Sequence, residues 1–211
     1  MGRSFDETDR KILEAAKKLF LQQGLHKTEM KAIAAQTGVS RETVYRRFLN
    51  KDEIAFYVTA QVIYELNALP PRETLEKKET GFRRYEACMR IMCQNYVDNV
   101  AQVRFLDEFD QRHIAPYPFN AAAKEFIAFN QRGEASFYLK KEFLEQGLRD
   151  GSVKPLQDLN FMVRCIDQSV VAICERIVPR QQHYLQEHGF GVEFVWQQLE
   201  MLLAYIKNTN L

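Results

Sequence analysis

Thr28–Ile54, TEMKAIAAQTGVSRETVYRRFLNKDEI, carries the clearest structural signal in this chain. Its pattern is typical of two short helices joined by a tight turn and followed by the start of a third helix. Gly38 stands at the turn, where glycine adopts a positive φ most easily. Thr28 and Ser40 each precede a helical pattern. We therefore expect each hydroxyl to accept a hydrogen bond from an unpaired N–H of the helix that follows.

The second of these helices has one apolar side and one polar side. Val44 and Phe48 face the preceding helix in this pattern. The outward positions carry polar side chains, which are Arg41, Glu42, Thr43, Tyr45, Arg46 and Arg47. A helix that is buried on one side and rich in hydrogen-bond donors on the other fits the major groove of DNA. The stretch therefore predicts a helix-turn-helix that reads DNA.

These residues resemble the DNA-binding domain of the TetR (tetracycline-repressor) family. The family pattern joins an apolar-Ala pair, Gly-Val-Ser, Thr-apolar-Tyr, an aromatic residue and a Lys-acidic pair. In this sequence the pattern stands as Ile33-Ala34, Gly38-Val39-Ser40, Thr43-Val44-Tyr45, Phe48 and Lys51-Asp52-x-Ile54. Arg47 replaces the aromatic residue or histidine of many members, and Met30 replaces a common Thr or Val. The rest of the chain resembles the family only in its length and helical texture.

The resemblance and the apolar periodicity together predict an all-α fold of about nine helices. An amino-terminal three-helix DNA-binding domain with the helix-turn-helix is expected over residues 1–50. A helical ligand-binding and dimerisation domain is expected over residues 51–211. The helices are placed at Asp6 or Thr8 to Gln23, Glu29–Gln36, Arg41–Phe48, Lys51–Ala68, 74–98, 100–113, 119–150 with a kink or break near Gly133, 159–178 and 191–208.

Base reading needs side chains at the exposed start of the recognition helix. Arg41 and Thr43 are the first candidates, followed by Arg46 and Glu42. Arginine can donate to guanine O6 and N7 together, and threonine can meet a thymine methyl group. For each of them, a solvated surface residue is the alternative.

Contacts with the DNA backbone are expected from a second group of residues. The resemblance implies that Tyr45 and Lys51 contact phosphates. Thr28, Lys31 and Ser40 are further candidates, because hydroxyls and helix N-termini suit phosphate. Arg3, in a short amino-terminal arm, could also reach DNA, and a disordered terminus is the alternative.

The last two predicted helices are apolar over more than one face, which indicates two buried sides. The resemblance implies that they pair with their symmetry mates in a homodimer. The residues expected in that interface are Phe161, Ile166, Val170, Ile173, Cys174, Val195, Trp196, Leu199, Leu202, Leu203 and Ile206. A two-fold dimer would place two recognition helices on successive major grooves of a palindromic operator. A deep monomeric core is the alternative.

The resemblance also implies a pocket for a small-molecule effector in the carboxy-terminal body, and the middle of the chain is rich in aromatic residues. The candidate ligand-binding residues are Tyr96, Arg104, Phe105, Phe109, His113, Phe126, Phe137 and Asp167. Such a set could enclose an apolar or aromatic molecule whose binding releases the DNA. A filled core is the alternative for the aromatic residues, and a surface position or buried ion pair is the alternative for the polar ones.

Composition agrees with a DNA-binding amino terminus without identifying one. The chain has 211 residues, 29 Lys and Arg, 28 Asp and Glu, and a net charge of +1, but residues 1–60 hold eleven basic and eight acidic side chains. No segment reaches the roughly 20 apolar residues of a membrane span, so no membrane partner is expected. The start, MGRSFDETDR, is too polar for a secretory signal, which predicts a cytoplasmic, nucleoid-associated protein.

Other classes of function have little support in the sequence. Cys88, Cys93, Cys165 and Cys174 lack metal-ligand spacing and fall within apolar helical patterns, so buried free thiols are expected, with a redox pair as the alternative. No catalytic motif, Gly-rich phosphate loop or histidine pair with ligand spacing occurs, so neither an enzyme nor a cofactor is expected.

A ligand-responsive repressor is therefore the expected function, and activation is left open because the sign depends on where the operator lies. The alternative is a co-regulator of the same fold that acts through a protein partner without sequence-specific DNA binding. Loss of Tyr45, Lys51 or the basic face of the recognition helix would favour that alternative, and all of them are present.

Overall fold

The computed structural model describes residues 4–133 and 135–209, and within these ranges the chain is helical with no β-strand. The predicted all-α fold is confirmed. The α-helices of the described residues are α1 (Glu7–Gln23), α2 (Met30–Thr37), α3 (Arg41–Arg47), α4 (Lys51–Leu66), α5 (Arg72–Glu76), α6 (Gly81–Asp98), α7 (Val100–Arg112), α8 (Ala121–Arg132), α9 (Ala135–Arg149), α10 (Leu159–Ile177), α11 (Gln181–His188) and α12 (Glu193–Ile206). Arg3 lies outside the described residues.

The described residues form two compact units, which we call unit 1 and unit 2. Unit 1 comprises residues 4–65 and 104–132, and unit 2 comprises residues 66–103, 133 and 135–209. Unit 1 thus extends beyond the expected DNA-binding domain of residues 1–50, because the buried face of α4 belongs to the same core as α1–α3. The division into domains after residue 50 concerns function and stays a prediction.

Helix α1 is capped at both ends, by Asp6 and Asp9 at its start and by Gly24 at its end. Asp6 accepts a hydrogen bond from the Asp9 N–H at 2.9 Å, and Asp9 accepts one in return from the Asp6 N–H at 3.3 Å. Gly24 ends the helix with a φ of 93°. The apolar side of this helix, which includes Ile12 and Phe20, is buried in unit 1.

The helix-turn-helix has the predicted arrangement. Gly38 ends α2 in the left-handed region, with φ 69° and ψ 8°. Ser40 caps α3, since its Oγ accepts a hydrogen bond from the Thr43 N–H at 3.2 Å. Ile33, Val44 and Phe48 are fully buried between the helices, which fixes the side that α3 turns away from solvent.

Thr28 does not cap α2, contrary to the sequence prediction. The N-cap position is occupied by Glu29, and α2 begins at Met30 without a side-chain cap. The Thr28 hydroxyl instead donates to the Gly24 carbonyl oxygen at 2.8 Å and accepts from the Gln23 amide at 3.2 Å. It therefore closes the turn after α1.

Helix α4 follows α3 after a short, hydrogen-bonded turn. Asn50 Oδ1 accepts from the Glu53 N–H at 2.9 Å, and Glu53 accepts from the Leu49 N–H at 2.6 Å. The helix is unbroken as predicted but ends at Leu66 and not at Ala68. After the helix ends, the Asn95 amide donates to the carbonyl oxygens of Leu66 at 3.2 Å and Ala68 at 3.0 Å, in place of further helical N–H groups.

Three other boundaries differ from the sequence prediction or refine it. The segment expected as one helix over 74–98 divides into α5 and α6, because Thr80 caps a new helix through the Arg83 N–H. The segment 119–150 divides at Gly133, with a φ of 74°, as expected. Helix α11 was not predicted, and none of its side chains is buried, so it carries no apolar periodicity.

Unit 2 is built on the contact of α6 with α9, and α10 and α12 pack onto the same core. Glycine makes the α6–α9 contact possible, since a Cβ at Gly81 would lie 2.0 Å from the backbone nitrogen of Gly147. Asp150 and Ser152 accept the first N–H groups of α6, at 2.7 and 3.1 Å. Asp158 caps α10, accepting from the Phe161 N–H at 2.9 Å.

Candidate functional site

The outward face of α3 is the candidate nucleic-acid interface. Arg41, Glu42, Tyr45 and Arg46 are exposed, and Thr43 is half-buried. Ser40 donates to the Thr43 hydroxyl at 3.0 Å, so the two predicted contact residues at the start of the helix hold each other in place. The exposed side chains offer guanidinium and hydroxyl donors at one face of a short helix, which is the chemistry that base edges and phosphates accept.

The predicted phosphate contacts differ in how available they are. Tyr45 is 53% exposed and Lys31 is exposed, although the Lys31 ammonium lies 2.7 Å from the Glu29 carboxylate and lowers the pKa of Glu29. Thr28 is only 1% exposed, and its hydroxyl is used within unit 1. The prediction that Thr28 contacts phosphate is therefore corrected.

Lys51 is half-buried, and its ammonium is bound to the loop between α1 and α2. Its Nζ donates to the carbonyl oxygens of Leu25 at 2.7 Å and His26 at 3.2 Å. Burial, with the Arg112 charge added, lowers the pKa of Lys51. One of its three N–H donors is left for a phosphate. The predicted contact of Lys51 with DNA therefore requires the ammonium to donate to this loop and to a phosphate at the same time.

Arg47 has a structural function that the sequence did not indicate. Its Nη1 donates to the carboxylates of Asp6 at 2.6 Å and Asp9 at 3.0 Å, which joins the end of α3 to the start of α1. The hydrogen bond from Arg47 lowers the pKa of Asp6. Because the pair joins residues 41 positions apart, no local pattern could have found it.

The predicted ligand-binding residues divide between the two units. Arg104, Phe105, Phe109, His113 and Phe126 lie in unit 1, whereas Tyr96, Phe137 and Asp167 lie in unit 2. Two of the unit 1 residues are used inside that unit. The Arg104 guanidinium donates to the Leu21 carbonyl oxygen at 2.8 Å, and the Phe105 ring stacks on Phe20 at 5.6 Å.

The other three unit 1 residues belong to one aromatic cluster, which we define as Phe56, Phe109, His113, Tyr117 and Phe126. The ring centroids of Phe109 and His113 are 4.3 Å apart, and those of Phe56 and Phe126 are 5.7 Å apart. Next to this cluster α4 and α8 enclose a half-open cavity of about 420 Å³. Its lining residues are Phe56, Tyr57, Ala60, Ala122, Lys124, Glu125, Phe126, Ala128, Phe129 and Arg132.

In unit 2 the predicted polar residue Asp167 forms a buried ion pair. Lys140 Nζ lies 2.5 Å from Asp167 Oδ2 and 3.6 Å from the sulfur of Met92. Asp167 Oδ1 and the fully buried hydroxyl of Tyr85 have no hydrogen-bond partner among the described residues. Burial raises the pKa of Asp167, while the Lys140 charge opposes that shift.

The remaining predicted ligand residues of unit 2 are core residues with specific neighbours. Tyr96 is buried, with its hydroxyl 3.5 Å from the Asn67 amide nitrogen. Phe137 lies under the Arg164 guanidinium at 4.6 Å. Asp167 thus forms a buried ion pair and Tyr96 packs in the core. Both contacts are the alternatives to ligand binding that the sequence left open.

Most residues expected at the dimer interface face the core of unit 2. The seven that are buried within the single chain are Ile166, Val170, Cys174, Val195, Leu199, Leu203 and Ile206. Ile173, Trp196 and Leu202 are half-buried, and only Phe161 is exposed. The exposed apolar side chains of α10 and α12 are instead Phe161, Phe194, Met201 and Tyr205.

The cysteines are all free thiols in the structure. Cys88, Cys93 and Cys174 are buried as expected, but Cys165 is exposed because it lies on the outward side of α10. Across residues 4–133 and 135–209, no group of three or more His, Cys, Asp or Glu side chains could hold a metal ion. No helix in the same part of the chain is long and apolar enough to span a bilayer.

Comparison with known proteins agrees with these features. Residues 12–58 match the sequence profile of a family described as bacterial regulatory proteins, tetR family. An HTH-type transcriptional regulator of Staphylococcus aureus is 38% identical over 58 residues, which are 28% of this chain and 31% of the relative. The chain thus matches about a third of the length of that relative.

Solved structures of the same fold cover nearly the whole chain. A ketosteroid transcriptional regulator of Mycobacterium tuberculosis has a TM-score of 0.56 and 16% identity, over 98% of each chain. The transcriptional regulator FadR of Bacillus subtilis, solved in complex with stearoyl-CoA, has a TM-score of 0.61 and 18% identity, over 93% of this chain and 98% of its own. Residues 12–58, which contain the helix-turn-helix, are thus similar to the tetR family of bacterial regulatory proteins. The whole chain shares its all-α fold with these solved regulators.

Proposed function

We propose that this protein is a ligand-responsive transcriptional repressor that binds a palindromic DNA operator as a homodimer. The observation that carries this proposal is the face of α3, where exposed arginine and tyrosine side chains stand opposite the buried Val44 and Phe48. A short helix held in this way presents its donors to the major groove as a rigid set.

Arg41 and Thr43 are the proposed base readers, with Arg46 and Glu42 beside them. Arg41 is exposed in the first turn of α3, where side chains of a recognition helix contact base edges. A guanidinium at this position can donate to guanine O6 and N7 together. The Ser40 cap fixes the backbone from which these side chains project.

Tyr45, Lys31 and Ser40 are the proposed backbone contacts, and Lys51 contributes its remaining donor. These groups would set the register of α3 on the duplex and carry little sequence information. Thr28 is left out because its hydroxyl is bonded inside unit 1.

The homodimer is proposed to form through α10 and α12. Side chains that are buried in the single chain cannot also cover a partner, so the interface is assigned to the exposed Phe161, Phe194, Met201 and Tyr205, with the half-buried Trp196. Exposed apolar patches of this kind mark protein–protein contacts. A two-fold axis here would present two α3 helices to one duplex.

A small apolar or aromatic effector is proposed to release the DNA by favouring a state in which α3 no longer fits the groove. A regulator of the same fold has been solved with stearoyl-CoA, and this chain has an aromatic cavity of its own. A protein with this function would be cytoplasmic and associated with the nucleoid.

Selection from a random pool of DNA duplexes at low salt tests the proposal. Wild type is expected to enrich a palindromic sequence. Arg41→Ala is expected to weaken binding by about 1–3 kcal/mol and to relax the preference at one base pair of each half-site. The matched control is Arg149→Ala, at the exposed end of α9, which should enrich the wild-type sequence. No enrichment by wild type would overturn the proposal.

A further inference from the structure

We infer that the cavity between α4 and α8 is the effector site of this protein and that it takes an apolar carboxylic acid. This inference rests on the proposed function, because an effector requires a DNA-binding activity to regulate. The cavity lies entirely within unit 1, which also contains α3.

The shape of the cavity is set by small side chains over an aromatic floor. Ala60 of α4, and Ala122 and Ala128 of α8, line it where larger residues would fill the space. Phe56 and Phe126 are buried and form the floor, and both belong to the aromatic cluster. A volume of about 420 Å³ falls in the range of small-molecule sites, and aromatic walls favour a flat apolar ligand.

The charged side chains that line the cavity determine which charged group a ligand would carry. Among the described residues that line the cavity, Lys124 and Arg132 supply two cations and Glu125 supplies one carboxylate, so these α8 residues are net positive. A neighbouring hollow along α4 shares Tyr57, Ala60 and Phe129 but carries the carboxylates of Glu14 and Glu65. An anionic group would therefore sit at α8, with the apolar body against α4.

Tyr57 connects the cavity to the recognition helix. Its side chain lines the cavity, and its ring contacts the ring of Phe48, with centroids 6.2 Å apart. Phe48 is fully buried at the end of α3. A ligand that displaces the Tyr57 ring would thus alter the packing that holds α3, through one direct contact in the same unit.

Calorimetric titration of the full chain with 2-naphthoate tests the site without DNA. Saturable binding with a dissociation constant of about 1 mM or tighter is expected for a ligand of this size. Ala128→Phe, which fills the cavity from its half-exposed side, should abolish that binding. Lys124→Gln should weaken it roughly tenfold, as the loss of a charge-assisted hydrogen bond does. The matched control is Lys77→Gln in unit 2, which should bind as wild type does.

The neutral isostere 2-naphthalenemethanol separates charge recognition from apolar binding. It should bind more weakly than 2-naphthoate to wild type, and Lys124→Gln should not weaken it further. Absence of saturable 2-naphthoate binding, or equal binding to wild type and Ala128→Phe, would overturn the inference.

Titration of selected DNA in the presence of 2-naphthoate then tests the regulatory link. The ligand should weaken DNA binding, and DNA should weaken ligand binding by the same factor. Ligand binding with no effect on DNA affinity would overturn the assignment as an effector site. Failure of the ligand-free protein to bind selected DNA would instead count against the proposed function, so the two failures are distinguishable.

Discussion

At the scale of single residues, the arginines of α3 divide into those that face solvent and one that forms ion pairs within the protein. Arg41 and Arg46 of α3 are exposed, whereas Arg47 is bound to Asp6 and Asp9. The three arginines of this short helix are thus in two different environments. The proposal of base reading rests on the exposed ones.

The Arg47 pair can be tested through the titration of Asp6. Arg47→Gln is expected to raise the pKa of Asp6 toward its ordinary value of 3.8, because the hydrogen bond that lowers this pKa is lost. A carboxyl group whose pKa is lowered in the folded state stabilises the protein above its unfolded pKa. That contribution is lost as the pH falls below 3.8 and through the lowered folded value.

NMR titration of the Asp6 carboxyl in both proteins gives the measurement. Arg46→Gln is the matched control, since its side chain is exposed on the same helix. If Asp6 titrated alike in wild type and Arg47→Gln, the ion pair would not exist in solution.

The buried Lys140–Asp167 pair gives a second residue-scale prediction. Lys140→Met is expected to destabilise the fold by roughly 3–5 kcal/mol, because it leaves the Asp167 carboxylate buried without a cation. The double variant Lys140→Met/Asp167→Leu should recover much of that loss, since no unpaired charge remains. Urea denaturation measures all of these free energies of unfolding, with Lys141→Met as the control at a more exposed position. A single variant as stable as wild type would contradict the prediction.

At the scale of helices, the sequence predicted most boundaries because the signals that set them are local. Ser40 caps α3 and Gly38 turns with a positive φ, as expected. The predicted bounds at Gln23 and 159 coincide with Gly24 and Asp158, which cap α1 and α10. Thr28 does not cap α2 because Glu29 occupies the N-cap position, and the Thr28 hydroxyl accepts from the Gln23 amide instead. A capping residue is visible in sequence, but the competition for its hydroxyl is not.

The partners of a long apolar pattern could not be predicted from the sequence either. The apolar faces of α10 and α12 were correctly seen as extensive, yet which residues cover the chain's own core depends on α6 and α9. The predicted pocket residues divided between two units for the same reason. Apolar periodicity identifies the buried face of a helix, but only the tertiary structure shows which other helices that face contacts.

Gly81 gives a prediction at this scale. Gly81→Ala would place a Cβ 2.0 Å from the Gly147 nitrogen, so α6 and α9 must separate, and a loss of roughly 3 kcal/mol or more is expected. Gly38→Ala is the informative comparison, because no atom lies within 4 Å of its Cβ and only the positive φ is strained. It should cost about 1–2 kcal/mol. Denaturant unfolding checks both, and equal losses would contradict the steric account of Gly81.

At the scale of the whole molecule, the proposed reading of a palindromic operator requires two copies of the chain acting together. One α3 is a short helix, and its few base contacts select only a short half-site. A dimer reads two half-sites and so gains the specificity that regulation requires. The exposed apolar side chains of α10 and α12 are the surface proposed for this association.

Met201→Glu tests that surface. Met201 is 60% exposed on α12, so the change should leave the fold of the single chain intact while placing a charge in the proposed interface. Sedimentation velocity is expected to show a dimer for wild type and a monomer for the variant. Ile114→Glu, at a position that is 87% exposed in unit 1, is the control and should remain a dimer. A monomeric wild type, or a dimeric Met201→Glu, would contradict the assignment.

Sequence reading by α3 can be measured directly as the ratio of two DNA affinities. Wild-type protein would be titrated, at about 0.15 M salt, with the palindromic duplex that selection enriches and with a scrambled duplex of the same composition. We expect an affinity at least about 10³-fold higher for the enriched duplex, as in specific protein–DNA complexes. Equal affinities would mean that the protein recognises only the phosphate backbone, and would contradict sequence reading by α3.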